Sequence, residues 1–178
     1  VYAHPEPTSF TCTLKAVARG VLMNAGPAVE VSDLYGEIFN PVAGRHDLTS
    51  VHEASSFHYQ SEQGRAHATG WLRSRSRART AARPKGRPDH LALSDLVGRG
   101  AGHPQGWFDR VMAFGFAYAD GRRYDSGFFK DKTGMLCLTT GGTVERFSAG
   151  NVYGPIEQVL YPTQHLMLDY LGMKLYPL

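Results

Sequence analysis

The periodicity of hydrophobic and polar residues changes several times along this chain, and the sharpest change lies after residue 138. Four unbroken apolar residues, Met135 to Leu138, are followed by Thr139, Thr140, Gly141 and Gly142. Such a run is typical of a strand buried on both faces of a parallel sheet. The glycines that follow predict a ligand site at the carboxyl end of the strand, because bare backbone N–H groups can approach a ligand there. An ordinary buried strand with a glycine turn explains the same pattern.

The beginning of the chain alternates between strand and helix periodicity. Val1 to Ala3 predict the end of a clipped strand, and His4 to Pro7 predict the turn that leaves it. A helix follows, with Thr8 or Ser9 in the capping position. Its predicted apolar face comprises Phe10, Leu14, Val17, Val21 and Leu22. Val29 to Val31 then predict a second strand, parallel to the first in a βαβ unit. The helix start is either an anion site or a plain capped helix.

The second half of the chain repeats this alternation. Trp107, Val111, Phe114 and Tyr118 can share one helical face, which Asp120 and Gly121 close in a turn. After residue 142 the pattern predicts helical structure broken near Pro162, a helix stop at Gly172 and a last strand from Met173 to Leu178. Alternating strands and helices of this kind predict an α/β fold with a doubly wound parallel sheet.

Length and composition favour one cytoplasmic domain spanning residues 1–178. The chain has 178 residues, of which 42% are hydrophobic, so one core can form. No apolar run approaches the roughly 20 residues that span a bilayer, and no segment resembles a signal peptide. Cys12 and Cys137 are expected to be reduced core residues. His52, His58 and His67 have no carboxylate or cysteine partners at ligand spacing, so we expect surface histidines and no metal.

The net charge of +3 belongs to one segment of the chain. Residues 71–106, called the basic segment below, hold 8 Lys and Arg against 2 Asp and Glu, a balance of +6. The other 11 basic and 14 acidic residues leave −3 for the rest of the chain. Any argument for a nucleic-acid partner therefore depends on the basic segment alone.

Six motifs within residues 1–70 and 106–178 resemble, in order, those of the flavodoxin-like NAD(P)H:quinone oxidoreductases. They are Tyr2-Ala3-His4-Pro5-Glu6-Pro7-Thr8-Ser9-Phe10, Ser32-Asp33-Leu34-Tyr35 with Phe39-Asn40-Pro41, Gly106-Trp107-Phe108-Asp109-Arg110-Val111, Phe116-Ala117-Tyr118, Tyr124-Asp125-Ser126-Gly127 and Thr139-Thr140-Gly141-Gly142. No single motif identifies the family, but their order along the chain does.

The resemblance implies a five-stranded parallel sheet and a homodimer with flavin sites at its interface. It also implies two-electron reduction of quinones or related acceptors by NAD(P)H, with FAD, or alternatively FMN, as the flavin. By position, His4, Thr8, Ser9 and Phe10 would hold the phosphate end of the flavin, and Thr139, Thr140, Gly141 and Gly142 would line its ring. Helix N-terminal amides suit phosphates, and backbone donors stabilise negative charge on a reduced ring.

The chain departs from the family at two positions near the ring. Better-known animal members have a Tyr and a His there, whereas this chain aligns Phe147 and Tyr153. Phenylalanine cannot donate a hydrogen bond, so a proton relay through that position is in doubt. Tyr118 or Tyr153 is the hydroxyl left for catalysis.

The basic segment is the larger departure, because the family should show the central apolar strand and a Pro-x-Trp-Trp loop there. Codons for Asp89 to Gln105 can be chosen that, read one base later, encode Ile-Ile-Leu-His-Phe-Pro-Ile-Trp-Trp-Gly-Val-Glu-Pro-Ala-Ile-Leu-Lys, the missing family segment. We hypothesise a frame shift between Gly70 and Gly106, which the gene's nucleotides test. As written, the segment should replace a buried central strand poorly, so we expect weak folding and poor flavin retention.

Two functions of other kinds remain open at this point. A degenerate, non-catalytic relative would share the motifs but respond to no assay. A basic nucleic-acid-binding α/β module would use residues 71–88 to neutralise phosphates, although aromatic residues are absent there apart from Trp71.

Overall fold

The structure is a computed structural model that describes residues 1–26, 28–70, 90–96 and 102–176. Its helices are α1 (Phe10–Asn24), α2 (Tyr59–Thr69), α3 (Gly102–Val111) and α4 (Ile156–Thr163), and its strands are β1 (His90–Leu96), β2 (Thr133–Thr139) and β3 (Lys174–Leu175). Short 3₁₀ turns occupy Arg45–Asp47, Tyr124–Ser126, Val144–Phe147 and Asp169–Leu171, and a π-helical turn occupies Gln164–Leu168.

The three strands form a parallel sheet in which β2 lies between β1 and β3. All seven residues of β2 pair with β1, from Thr133 opposite His90 to Thr139 opposite Leu96. The predicted doubly wound parallel architecture and the predicted strand before Thr140 are confirmed. Among the described residues the sheet is partial: these three strands and the isolated parallel bridge between Tyr2 and Asp33 stand where the resemblance implied five strands.

The isolated bridge joins Tyr2 to Asp33 and is the pairing of the predicted βαβ unit. The Tyr2 amide donates to Ser32 O at 2.8 Å, and the Leu34 amide donates to Tyr2 O at 2.9 Å. The pairing therefore lies a few residues after the predicted strand. Val29 to Val31, the predicted strand, belong to no strand or bridge among the described residues.

The apolar end of the basic segment forms β1. His90–Leu96 pairs with β2 along its whole length, so this part of the segment supplies a strand next to the Thr139 strand. Residues 71–89 and 97–101, which include the Arg-rich stretch from Trp71, lie outside the described residues. The expected weak folding of the chain as written stays a prediction.

Helix α1 is capped as predicted, but it packs through a different face. Ser9 is its N-cap, and the Ser9 hydroxyl accepts a hydrogen bond from the Cys12 amide at 3.2 Å. The predicted face is wrong in part, because Phe10, Val17 and Val21 are exposed. Leu14 and Leu22 of the predicted face line the cavity under α1, together with Thr11, Lys15, Ala18 and Arg19, which were not predicted.

Lys15 belongs to the side of α1 that packs inward. Its ammonium group lies 3.4 Å from Asp33 Oδ2 and 3.9 Å from the centre of the Tyr2 ring. Both partners belong to the isolated parallel bridge of the βαβ unit, so this contact holds the Lys15 side of the helix against that bridge. A cation over an aromatic face and next to a carboxylate is stabilised on both sides.

Helix α3 supplies the centre of the core but ends earlier than predicted. The core comprises Ala3, Leu34, Trp107, Phe108, Val111, Met112, Ala117, Phe129, Leu168, Leu171 and Met173. The helix stops at Val111, so the prediction that Phe114 and Tyr118 continue its face is wrong. Gly115 has φ +88°, and its amide donates to Tyr118 O at 2.8 Å, which turns the chain back on itself.

The C-terminal part agrees with the prediction. Helix α4 contains Pro162 and passes directly into the π-helical turn, as expected where a proline removes a backbone donor. Gly172, at φ +93°, ends the helical stretch in the left-handed conformation. The last strand is shorter than predicted, and residues 177–178 lie outside the described part. Within the described ranges, no helix combines the length and apolar character needed to cross a membrane.

Candidate functional site

The turn between the first strand and α1 (residues 4–9, called the N-terminal turn) is built around Glu6. Glu6 Oε1 accepts two hydrogen bonds from Thr8, one from the amide at 2.9 Å and one from the hydroxyl at 2.7 Å. The Glu6 carbonyl accepts from the Ser9 amide at 3.2 Å. These bonds lower the pKa of the Glu6 carboxyl, with the Thr8 amide as the main cause and the Thr8 hydroxyl next.

His4 is held at the start of this turn by the backbone of Glu6. The Glu6 amide donates to His4 Nδ1 at 3.0 Å. Nδ1 also lies 3.2 Å from the Glu6 carbonyl oxygen, so it accepts from the amide in one tautomer and can donate to the carbonyl in the other. In both cases the Glu6 backbone engages Nδ1, and Nε2 is the ring nitrogen that His4 leaves for a ligand.

The first turn of α1 leaves two backbone N–H groups open, meaning without a hydrogen-bond partner among the described residues, although Thr11, which carries one of them, is only 4% exposed. The Thr13 amide is bonded to the Ser9 carbonyl at 3.2 Å, and the Cys12 amide is bonded to the Ser9 hydroxyl. The amides of Phe10 and Thr11 make no hydrogen bond to any of the described residues. Free N–H groups at the positive end of a helix dipole form a site for an anion. The Phe10 ring beside them is 69% exposed, so it is accessible to a ligand.

The Thr-Thr-Gly-Gly turn (Thr139 to Gly142) leaves β2 at its carboxyl end. The Thr140 hydroxyl donates to Gly142 O at 2.9 Å, which closes the turn. A Cβ atom built on Gly141 would meet none of the described atoms within 4 Å. Open backbone of this kind is what a flat ligand requires in order to approach the turn.

Phe147 and Tyr153 cover the other glycine of the Thr-Thr-Gly-Gly turn. A Cβ atom on Gly142 would lie 3.0 Å from Phe147 Cε2 and 3.2 Å from Tyr153 Cε2. The two rings stack with centroids 5.0 Å apart and planes inclined by 30°. The structure therefore brings the predicted catalytic Tyr153 to the turn predicted to line a cofactor ring, and about half of its side chain is exposed.

The cavity beneath α1 lies against the strands that precede the two turns, and within the described part of the chain no residue of either turn lines it. Its volume is about 90 Å³, and its walls include Val1 and Tyr2 from the first strand and Met135 and Cys137 from β2. In a doubly wound parallel sheet the strands end at a common edge. The N-terminal turn and the Thr-Thr-Gly-Gly turn therefore follow strands that share one wall, which supports a common site for His4, Thr8, Ser9 and Phe10 with residues 139–142.

Tyr118 has different surroundings. It lies in a second, larger cavity of about 590 Å³, where its ring contacts Phe114 and Tyr170 at centroid distances of 5.5 and 5.7 Å. The lining residues of this cavity are Ala43, Phe57, His58, Tyr59, Gln60, Gln63, Gln105, Phe108, Asp109, Met112, Tyr118, Leu166, Met167, Tyr170 and Leu171. Burial, then Tyr170 and Asp109, raise the pKa of the Tyr118 hydroxyl, so it keeps its proton. Neither turn contributes to this cavity among the described residues.

Two residues of these sites were missed by the sequence analysis. The motif that contains Glu6 predicts no role for this residue. A local signal exists, because an acidic side chain two residues before a Thr can accept hydrogen bonds from the amide and the hydroxyl of that Thr. Gln63 is buried and joins α2 to α3, since its Nε2 donates to Asp109 O at 2.8 Å and its Oε1 accepts from the Phe114 amide at 3.3 Å. No local signal identifies Gln63, because its partners lie about 50 residues away in the chain.

The donor set of the N-terminal turn fits the phosphate end of a flavin. The amides of Phe10 and Thr11 are dipolar donors of the kind that bind phosphate at helix starts, and His4 Nε2 is the ring nitrogen available beside them. The open backbone at Gly141 fits a flat ring. The Thr8 donors, predicted to join this set, are already bonded to Glu6.

Comparisons with known proteins agree with this architecture. The family model described as "Flavodoxin-like fold" matches residues 103–178. The chain is 37% identical over 178 residues to the ribosyldihydronicotinamide dehydrogenase [quinone] of Rattus norvegicus, covering 98% of this chain and 76% of the relative. It is 34% identical to NAD(P)H dehydrogenase [quinone] 1 of the same organism, covering 98% and 64%.

A solved structure gives the same result. The crystal structure of a protein described as a candidate quinone reductase from Klebsiella pneumoniae superposes with a TM-score of 0.89 at 31% identity, covering 99% of this chain and 71% of that one. Similarity of this extent in both sequence and backbone exceeds a shared architecture alone. The chain belongs to the flavodoxin-like family of NAD(P)H:quinone oxidoreductases.

Proposed function

We propose that this chain uses a bound flavin, FAD or alternatively FMN, to reduce quinones or related acceptors by two electrons, with NADH or NADPH as the electron donor. The observation that carries the proposal is the position of the two turns. The open amides of Phe10 and Thr11 and the open backbone of Gly141 follow strands that share one cavity wall. A phosphate group and a flat ring on one ligand match that pair of sites.

The chain's own residues would bind and orient the cofactor. A flavin, when bound, supplies the two-electron chemistry that no side chain provides. His4, Ser9 and Phe10 would hold its phosphate end, together with Thr8 once that residue is released from Glu6. The backbone of Thr139, Thr140, Gly141 and Gly142 would lie along its ring and offer N–H donors to developing negative charge. Quinone reduction needs protons as well as electrons, so a hydroxyl near the ring is required.

Tyr153 and Tyr118 are the two hydroxyls proposed for that role. Tyr153 lies at the Thr-Thr-Gly-Gly turn, whereas Tyr118 lies in the larger cavity that neither turn lines. We also propose a homodimer, on the ground of the family resemblance alone, and the cytoplasm as its location.

The absorption spectrum of the purified full chain tests the proposal. Because the chain as written is expected to retain flavin poorly, flavin is first supplied to the protein and the unbound excess is removed. We then expect a bound-flavin band in the visible range that bleaches when NADH or NADPH is added in the absence of air and returns when a quinone is added. Extraction of the cofactor and measurement of its mass distinguish FAD from FMN. A protein that neither retains nor takes up a flavin contradicts the proposal.

The same preparation separates the two other functions considered. A degenerate relative would bind flavin without bleaching, or would bind none. A nucleic-acid-binding module would shift labelled RNA or DNA in a salt-sensitive manner, through residues 71–88, without any response to nicotinamide. No contact among the described residues favours either alternative over the oxidoreductase.

A further inference from the structure

The Glu6 carboxylate occupies hydrogen-bond donors that the proposed site would offer to the phosphate of the flavin. Its Oε1 atom accepts from both polar groups of Thr8, at 2.9 and 2.7 Å. Thr8 is one of the residues proposed to hold the phosphate of the flavin. In the free protein its two donors are therefore occupied by a carboxylate of the same chain.

The rest of the N-terminal turn fixes Glu6 in this position. Its amide donates to His4 Nδ1 at 3.0 Å, and its carbonyl accepts from the Ser9 amide at 3.2 Å. The backbone on both sides of the Glu6 side chain is thus held, so the carboxylate reaches Thr8 without a change in the turn. The side chain itself is exposed and can swing into solvent.

Charge makes this contact a competition. A phosphate approaching the open amides of Phe10 and Thr11 would come next to the Glu6 carboxylate, and two anions near one helix start repel each other. The hydrogen bonds from Thr8 lower the pKa of Glu6, so its charge persists at neutral pH. Glu6 and the phosphate therefore compete both for donors and for the positive end of the α1 dipole.

We propose that Glu6 is a built-in competitor for the phosphate end of the flavin, and that cofactor binding displaces its carboxylate from Thr8. The inference depends on the proposed function, since it assigns to that same site the residue that limits its affinity. Flavins that carry phosphate must overcome this contact. Riboflavin, which lacks a phosphate, has no group that competes with Glu6.

Two variants test the proposal on the full chain. Glu6→Ala removes the charge and frees both Thr8 donors, whereas Glu6→Gln removes the charge and keeps an acceptor for Thr8. Dissociation constants of FAD, FMN and riboflavin are measured by quenching of flavin fluorescence on the apoprotein. We expect Glu6→Ala to tighten FAD and FMN binding by about twofold to fivefold, as for other exposed charge contacts, with a smaller gain for Glu6→Gln. Riboflavin binding should stay the same.

The chain contains a matched control for both variants. Glu53 Oε1 accepts from the Ser55 amide at 3.2 Å and from the Ser55 hydroxyl, so it repeats the contact of Glu6 with Thr8 at the same spacing. Glu53→Ala changes the net charge by the same amount but leaves the N-terminal turn intact. It should alter none of the three dissociation constants.

A measurement without flavin gives a second readout. Titration of inorganic phosphate into the ¹⁵N-labelled protein should shift the amide resonances of Phe10 and Thr11 in all variants. The Thr8 amide should respond to phosphate at lower concentration in Glu6→Ala than in the wild type. Urea unfolding of each variant shows whether the fold is retained.

Each outcome decides between the alternatives. The proposal is supported if Glu6→Ala or Glu6→Gln binds FAD more tightly than the wild type. It is also supported if only a variant binds FAD. Unchanged or weaker FAD binding in both folded variants overturns it and makes Glu6 a scaffold for Thr8. Equal FAD binding by wild type and variants leaves the proposed oxidoreductase function standing. Absence of flavin binding in every variant overturns that function and this inference together.

Discussion

Arg110 and Asp47 form a buried ion pair that joins α3 to a turn 63 residues earlier in the chain. Arg110 donates from Nε to Asp47 Oδ1 at 2.7 Å and from a second guanidinium nitrogen to the same oxygen. Asp47 Oδ2 accepts from the Tyr59 hydroxyl at 2.8 Å and from the Gly44 amide at 3.1 Å. All four bonds converge on one carboxylate, so this residue fixes the segment before α2 against the core.

Replacement of Asp47 by Asn should destabilise the fold strongly. The variant leaves the Arg110 guanidinium without its charge partner in a site where Asp47 is almost fully buried, so we expect the free energy of unfolding to fall by about 3 to 5 kcal/mol. Tyr59→Phe removes one hydrogen bond and should cost about 0.5 to 1.5 kcal/mol. Guanidinium chloride unfolding measures both. Asp120→Asn, at the exposed pair with Arg123, is the control and should leave stability nearly unchanged.

A methyl group at Gly106 should also destabilise the fold. The backbone of Pro41 lies against the Gly106 Cα, and a Cβ atom there would overlap the Pro41 carbonyl oxygen. Since backbone cannot move aside as a side chain does, we expect Gly106→Ala to cost about 1 to 3 kcal/mol. Gly20→Ala is the matched control inside α1, where a Cβ meets none of the described atoms within 4 Å. It should stabilise the protein by about 0.5 to 1 kcal/mol, and equal effects of the two substitutions would contradict this account.

Glu62 should make stability depend on pH in the acidic range. The amides of His52 and then Glu53 donate to its buried carboxylate and lower its pKa below the usual 4.5. A lowered folded pKa means that the contribution is complete above pH 4.5 and is lost as the pH falls from there through the folded value. The difference between the urea midpoints at pH 7 and pH 4 should shrink in Glu62→Gln. An unchanged difference would show that another carboxylate is responsible.

The two glycines of the Thr-Thr-Gly-Gly turn should respond differently to substitution. Gly142→Ala pushes a Cβ against Phe147 and Tyr153 and shifts the stacked rings, so we expect FAD affinity to fall by about tenfold. Gly141→Ala places its methyl group in space that no described atom occupies, and it should leave the stacked rings in place. Fluorescence titration of the apoprotein compares the two. A larger loss for Gly141→Ala would show that the ring approaches the turn at Gly141 itself.

Substitution of each tyrosine separates the two proposed proton donors. The variant that removes the true donor should lower kcat for quinone reduction by about 100-fold, the lower end of the effect of general acid catalysis, while FAD affinity stays the same. Tyr153→Phe keeps the stacking on Phe147, and Tyr118→Phe keeps the contacts with Phe114 and Tyr170. Steady-state kinetics as a function of pH measures the effect. If both variants keep full kcat, neither hydroxyl supplies the proton.

The sequence by itself determined the features that depend on a few neighbouring residues. The N-cap at Ser9, the end of the strand at Thr139 and the stop at Gly172 are local, since hydrogen bonds and backbone angles within a few positions decide them. The α/β class followed from alternating periodicities, and the family followed from six motifs in order. Each of these predictions is confirmed by the fold or by the comparisons.

Only the tertiary structure decided which faces and partners those elements use. The Lys15 side of α1 packs inward and Phe10 and Val17 lie outside, with the Lys15 ammonium group paired to Asp33 of the bridge with Tyr2. The sequence pattern does not predict the ion pair of Asp47 with Arg110. The strength of that pair depends on its burial and on the distance between the two side chains, and a linear pattern contains neither. Local propensity determines where an element begins and ends, whereas packing selects its orientation and its long-range contacts.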